Sequence, residues 1–246
     1  SSDLALAKRD FPNHQVTRYL NQLVARAHAL LYQGEPLALR RLWEFVAAGF
    51  PRLFRETAVF TLAAFLMFLV PALVAGIGIA LDTDSAQWLL PASVQDLIPI
   101  VEDKSLWIDI PIEERPYTSS FIMRNNIQVS FLAFASGITG GILTFYIMVQ
   151  NGLILGGLLG LTSQHSVGWD LANFVIGHGV IELSVIFMAG GSGLMIGWAI
   201  LRPGLMRRRD ALAQAARKAV WLMSGAAPML VIAGLIEGFI SPSETS

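Results

Sequence analysis

The sequence contains no cysteine, which excludes disulfides, iron–sulfur clusters and thiol catalysis. Charge is also scarce. Only 14% of the 246 residues are Asp, Glu, Lys or Arg, against about 25% in an ordinary soluble domain. The net charge of −1 gives no basic excess to hold a nucleic acid. Recognisable catalytic patterns are missing too. There is no HExxH, no GxSxG, no Gly-rich phosphate loop opening a helix, and no pair of aspartates within an apolar run. The reading is therefore of a protein with no catalytic residues, no cofactor and no metal. Two metal ligands could come from His178 and Glu182, but no further His or Cys has suitable spacing, and His165 would have to reach over from a loop.

What the sequence has instead is apolar length. Hydrophobic residues make up 54% of the chain and the mean hydropathy is +0.57, the signature of an integral membrane protein. Runs that reach the roughly 20 residues needed to span a bilayer fall at 57–80, 126–149, 172–201 and 219–240. A shorter apolar segment at 151–166 follows Gln150-Asn151, which reads as a tight polar turn. Pro71 marks an expected kink in the first span. The chain begins Ser1-Ser2, which reads as a trimmed product, and residues 1–50 are too charged for a cleavable signal peptide. They have helical patterning: a fragment at 3–10, a helix from Asn13 to about Gln33, and an amphipathic helix at 37–50 with Leu39, Leu42, Trp43, Val46 and Phe50 on one face. This last helix either lies in the membrane interface or packs on soluble neighbours.

Charge distribution orients the spans. Residues 1–56 carry eight Lys/Arg against five Asp/Glu; loop 82–124 carries three against eight; loop 202–218 carries six against one. Basic loops stay in the cytoplasm. The N-terminal region 1–56 and loop 202–218 are then inside, and the acidic loop 82–124 is outside. If 151–166 crosses, the transmembrane domain 57–240 has five spans, with the N-terminus in and the C-terminus out. If 151–166 is re-entrant, 172–201 would have to start and end on one side.

Small residues mark the contact faces, because helices in lipid associate by close packing. Gly152, Gly156 and Gly160 form one ladder; Ala189, Gly193 and Gly197 a second; Gly234 and Gly238 a third. Asn126, Ser130, Ala133, Gly137, Gly141 and Thr144 follow another face. "GITGG" and "GGSG" read as packing runs. These seams close a bundle within one chain or between copies, so a homodimer is an expectation.

Polar groups gather at one depth. In the five-span topology Arg124, Asn125 and Asn126 enter the second span from outside, Thr162, Ser163 and Gln164 end the third, and Glu237 nears the end of the fifth. His178 and Glu182 sit roughly 6–12 Å below the outer surface at 1.5 Å per residue. They are four residues apart and share a face. A carboxylate there must pair or neutralise, so Glu182 is expected to face the bundle interior. The cluster is a structural lock, a proton or ion relay, or a polar ligand site.

Three runs carry a family resemblance: "FIMRNNIQVSFLAFASGITGGILTFYIMVQNGLILGGLLG" at 121–160, "HGVIELSVIFMAGGSGLMIGWAILRPG" at 178–204, and "LIEGFISPS" at 235–243. Together with Asn125-Asn126, NGxxxG at 151–156 and HGxxE at 178–182, they resemble the stage II sporulation protein M family of bacterial membrane proteins. The segment "LALAKRDFPNHQVTRYLNQLVARAHALLY" is similar to the cytoplasmic lead-in of its longer, non-sporulation members. The resemblance implies a multi-pass inner-membrane protein with no known catalytic activity. In spore formers the namesake is a membrane anchor that recruits peptidoglycan-degrading partners; relatives elsewhere are encoded beside a MoxR-type ATPase. The expectation is an all-α, polytopic helix bundle that acts as a scaffold for other membrane or periplasmic proteins. The competing reading is a transporter or channel-like protein with a site at His178 and Glu182.

Overall fold

The computed structural model describes residues 19, 22, 39–98, 115–164 and 179–239. Two compact units result, Ser1–Ala47 and Ala48–Ser246. Helix α1 (Leu39–Glu44) lies in the first, and a π-helical turn, Phe45–Gly49, follows it in sequence. Trp43 and Val46 are exposed there. Of the helix expected over 13–33, only Tyr19 and Gln22 are described, both helical; the segment 3–10 lies outside the described residues.

The second unit is built on α2, Phe50–Leu81, a 32-residue helix. Proline in its first turn has its φ preset for helix and no N–H to leave unpaired. At 1.5 Å per residue it is about 48 Å long, well beyond the roughly 30 Å of a bilayer core. Pro71 lies inside it and the helix continues through. Val59, Leu62, Leu66, Val70, Leu73 and Ile77 recur at three- and four-residue steps and are all exposed. A stripe of this size would be an aggregation surface in water and is an ordinary face in lipid. At the helix end, the Asp84 N–H donates to Asp82 Oδ1 at 3.2 Å. A 3₁₀ turn (Thr83–Ser85), a short helix α3 (Ala86–Leu89) and a second 3₁₀ turn (Ala92–Leu97) follow. Ala86 and Leu90 cover Ile79 and Leu161.

The next helices depart from the sequence reading. A single span was expected over 126–149, closed by a turn at Gln150-Asn151. Instead α4 runs Arg115–Ala135, a 3₁₀ turn spans Ser136–Thr139, and α5 runs Ile142–Gln164. The break falls on Gly140 and Gly141, with φ of 72° and 86°. An L side chain costs roughly 1–2 kcal/mol in that region and glycine does not. Thr139 Oγ1 then accepts the Leu143 N–H at 3.1 Å and starts the new helix. "GITGG" is thus a hinge as well as a packing run. Gln150 and Asn151 lie in mid-helix, where the Asn151 amide donates to the Ile147 carbonyl at 2.8 Å. The segment 151–166 is accordingly the second half of a longer helix up to Gln164. The chain returns as α6, Val180–Leu201, and α7, Arg208–Phe239, which carries Pro228 inside it.

The helices alternate in direction. Gly152, Gly156 and Gly160 of α5 meet Phe68, Ala72 and Gly76 of α2 in the same order, so α2 and α5 run parallel. Phe187 meets Phe65 and Phe68, and Gly191 meets Thr61, so α6 is antiparallel to α2. Ala64, Phe68, Ala133, Met148 and Ile186 bring four helices to one core. On the far side of α6, Val185 and Met188 pack on Leu222, Ala226 and Leu230, and Met195 and Ile196 on Ala215 and Ala219. That spacing of 3–4 residues is one helical stripe, and it sets α7 antiparallel to α6. Among the described residues three helices are long and apolar enough to cross a membrane: Phe45–Leu81, Ile142–Gln164 and Val180–Leu201. Residues 172–178 of the expected fourth span lie outside the described residues.

The glycine seams close inside the chain. A Cβ at Gly156 would stand 2.5 Å from Ala72 Cα, one at Gly137 2.8 Å from Gly193 Cα, and one at Gly197 2.5 Å from the Gly140 carbonyl carbon. These contacts are backbone against backbone, so the seams at Gly137, Gly152, Gly156, Gly160, Gly193 and Gly197 carry no argument for a dimer, while Gly141 meets the Leu194 side chain at ordinary contact distance. Gly234 and Gly238 lie in α7. At Gly190 a Cβ would meet the Met148 sulfur at 2.7 Å, the end of a flexible side chain. We therefore expect Gly156→Ala to lower stability by about 1–3 kcal/mol and Gly190→Ala by less, because methionine can move aside. Thermal unfolding of the two variants in one detergent, with native protein alongside, checks the order.

Candidate functional site

Glu182 is 4% exposed, in the first turn of α6. Its neighbours along the helix, Val185, Ile186 and Ala189, face the same interior and are buried. Across the contact, the Asn126 side-chain amide of α4 donates to Glu182 Oε2. The two residues are 56 apart in sequence, and the hairpin at Gly140 and Gly141 is what brings α4 back beside α6. A carboxylate among apolar side chains needs donors to offset lost hydration, and a neutral amide gives one without adding a second charge.

Other described members of the expected polar layer lie elsewhere. Arg124 and Asn125 are exposed on α4. Thr162 bonds within its own helix, to Leu158 O at 2.8 Å and Leu159 O at 3.2 Å, and Ser163 to Gly160 O at 2.6 Å. Gln164 donates to the Ala80 carbonyl and ties the ends of α2 and α5 together. Glu237 lies in the last turns of α7. His178 and His165 lie outside the described residues. Among the described residues no three His, Cys, Asp or Glu side chains are grouped to hold a metal.

Three further polar features are not legible as such in the sequence, although its spacing places Ser130 and Thr144 on a contact face. Thr144 Oγ1 donates to the Ala133 carbonyl at 2.9 Å, across the hairpin. Thr61 Oγ1 and Ser192 Oγ are buried with no hydrogen-bond partner among the described residues, as is Ser130 Oγ. A helical hydroxyl can ordinarily bond its own i−4 carbonyl, and these three do not. Nothing in a sequence distinguishes the two states of a small hydroxyl. The third contact is ionic: Glu56 of α2 takes Arg52 and Lys218, each at 3.2 Å, which joins α2 to α7. Both ends of the Lys218 bridge are about two-fifths exposed, so solvent screens it and it contributes little to stability.

Among the clefts on the flanks of the bundle, two are largely apolar. One, of about 460 Å³, lies between α2, α6 and α7 and is lined by Phe50, Phe54, Thr61, Phe65, Phe187 and Met229 among others. The other, of about 490 Å³, lies between α2, α5 and α6 and is apolar except for Ser163. Neither is lined by Glu182. The arrangement therefore ties α4 to α6 through a polar bond and gives it no polar approach from either cleft. We expect Asn126→Leu to destabilise more than Glu182→Gln, since glutamine still offers an oxygen to the Asn126 amide while leucine removes a donor that the buried carboxylate uses. A double-mutant cycle with Asn126→Leu and Glu182→Leu, read by unfolding in mixed micelles, should give a coupling of about 0.6–1.7 kcal/mol. A coupling of zero would mean that the bond does not contribute.

No solved structure matches the chain. An uncharacterized protein of Methanocaldococcus jannaschii is 30% identical over 144 residues, 58% of this chain and 80% of that protein. Residues 1–33 match a domain of unknown function (DUF8413). The family described as Stage II sporulation protein M matches residues 57–242. That stretch holds every helix from α2 to α7 apart from the first turns of α2, and it includes the Asn126–Glu182 bond and the glycine seams. An all-helical chain with three membrane-length helices and this match belongs to the stage II sporulation protein M family.

Proposed function

We propose that this protein is a non-enzymatic membrane scaffold that recruits other proteins to the cytoplasmic (inner) membrane. One observation carries the reading: the only buried carboxylate among the described residues, Glu182, is engaged by Asn126 and holds two helices together. A group used for cohesion in this way favours a rigid platform over a moving site. The closed glycine seams favour the same conclusion, because backbone-to-backbone contacts leave little room for helices to slide.

In this reading α2, α4, α5, α6 and α7 make five passes, with bounds shifted from the sequence estimate by the hairpin at Gly140 and Gly141. Their alternating directions support that count. Six basic residues in 202–218 and eight acidic residues in 82–124 favour an N-terminus in the cytoplasm and a C-terminus outside. The acidic segment then offers an outer docking surface and residues 1–56 an inner one. The match of residues 1–33 to a separate domain favours a branch with its own cytoplasmic contacts, for which the family resemblance suggests a MoxR-type ATPase system. Self-association would have to use surfaces other than the seams already closed.

The test is capture of partners from native membranes. Deleting 99–113 or 13–38 should each remove a distinct set of co-purifying proteins while the bundle stays folded, and Glu182→Gln should remove none. Purified protein in liposomes should pass no protons or cations above empty vesicles. A flux carried by native protein and abolished by Glu182→Gln would replace the scaffold with a transporter.

A further inference from the structure

The turn between α6 and α7 has a composition that the scaffold reading does not use. Its tip is apolar: Leu205 is completely exposed and Met206 about half exposed. Gly204, at φ 66°, turns the chain there, with nothing within 4 Å of where its Cβ would be. Four cations bracket the tip. Arg202 precedes it, and Arg207, Arg208 and Arg209 follow, all exposed. Among the described residues none of the four is held in an ion pair, and the only carboxylate in 202–218 is Asp210. Arg202 is set against an aromatic instead, its guanidinium carbon 5.7 Å from the centre of the half-exposed Trp198 ring.

In free water this tip would hydrate two large apolar side chains for no return. At the edge of a bilayer the same residues sort themselves by depth. Leucine and methionine enter the acyl boundary, the tryptophan ring lies at the headgroup level, and the guanidiniums rest among phosphates. Arginine suits that position because its planar fork donates two parallel hydrogen bonds to a phosphate. α6 is one of the helices of membrane length and ends at Leu201, so the tip begins where the span leaves the hydrocarbon. We propose that the Arg202–Arg209 turn is a binding site for anionic phospholipid headgroups, with Arg207, Arg208 and Arg209 on the phosphates and Leu205 among the acyl chains. The site concerns the lipid surround of the bundle and does not depend on which proteins the scaffold recruits.

The absence of cysteine makes the test direct. A Leu205→Cys protein carries a single thiol, which takes an environment-sensitive fluorophore. The full chain is placed in nanodiscs of phosphatidylcholine and phosphatidylglycerol, in which one lipid or the other bears brominated acyl chains. Brominated phosphatidylglycerol should quench the label more than brominated phosphatidylcholine at equal mole fraction. Replacing Arg207, Arg208 and Arg209 by Gln should lower that preference roughly fivefold per arginine, and replacing them by Lys should retain most of it. Equal quenching by the two lipids, or a preference that survives the Gln replacements, would overturn the proposal. So would a label that is shielded only when an acidic soluble protein is added, an outcome that assigns the turn to a protein partner.

Discussion

The close contact between α2 and α5 is the constraint on which the other contacts rest. In lipid there is no hydrophobic drive to bring two greasy helices together, so cohesion comes from how nearly their backbones approach. Gly152, Gly156 and Gly160 place bare backbone against Phe68, Ala72 and Gly76. The two helices run parallel along that seam, which obliges the chain between them to leave α2 at one end and come back to its start. α4 makes that return, and the hairpin at Gly140 and Gly141 reverses it into α5. Only then does α6 find a groove bounded by three helices, with Gly190, Gly191 and Gly193 set against Met148, Thr61 and Ala133.

The buried carboxylate is a consequence of the same geometry. Glu182 can be removed from lipid because α4 lies alongside α6, and α4 lies there because the hairpin is short. The Asn126 amide then adds a polar bond to the backbone contact between Gly193 and Ala133 that sets the two helices together. An intramembrane ionisable residue is by default a functional candidate. Here the Asn126 amide of a neighbouring helix donates to it, the arrangement of a fastener. Outer surfaces show the complementary logic: α2 presents a continuous apolar stripe to its surroundings, while the charges collect at segment ends and in the turns.

Much of this could be read from residue order. Apolar runs marked the helices, the four-residue glycine ladders marked contact faces, and a carboxylate in a greasy stretch pointed inward. The hairpin was not legible, for a specific physical reason. A glycine that admits a neighbouring backbone and a glycine that takes a positive φ are the same letter, so "GITGG" and "LGGLLG" look alike. Gln150-Asn151 had the opposite fault. Two polar amides in an apolar run resemble a turn, yet an asparagine that bonds back to the carbonyl four residues earlier is at ease inside a helix. For the polar layer depth alone was visible, and depth does not say which side chains meet. Thr162 and Ser163 satisfy themselves on their own helix, Arg124 and Asn125 are exposed, and Asn126 meets Glu182.

The parallel pairing of α2 with α5 also bears on how the protein is made. Ala80 and Gln164, which meet at the end of the seam, are 84 residues apart. At roughly 5–20 residues per second of synthesis, α2 waits about 4–17 seconds in the bilayer before its mate emerges. Throughout that interval the face around Gly76 is open to whatever lies beside it. Until then the seam has only one side, and α2 is held by its own apolar length.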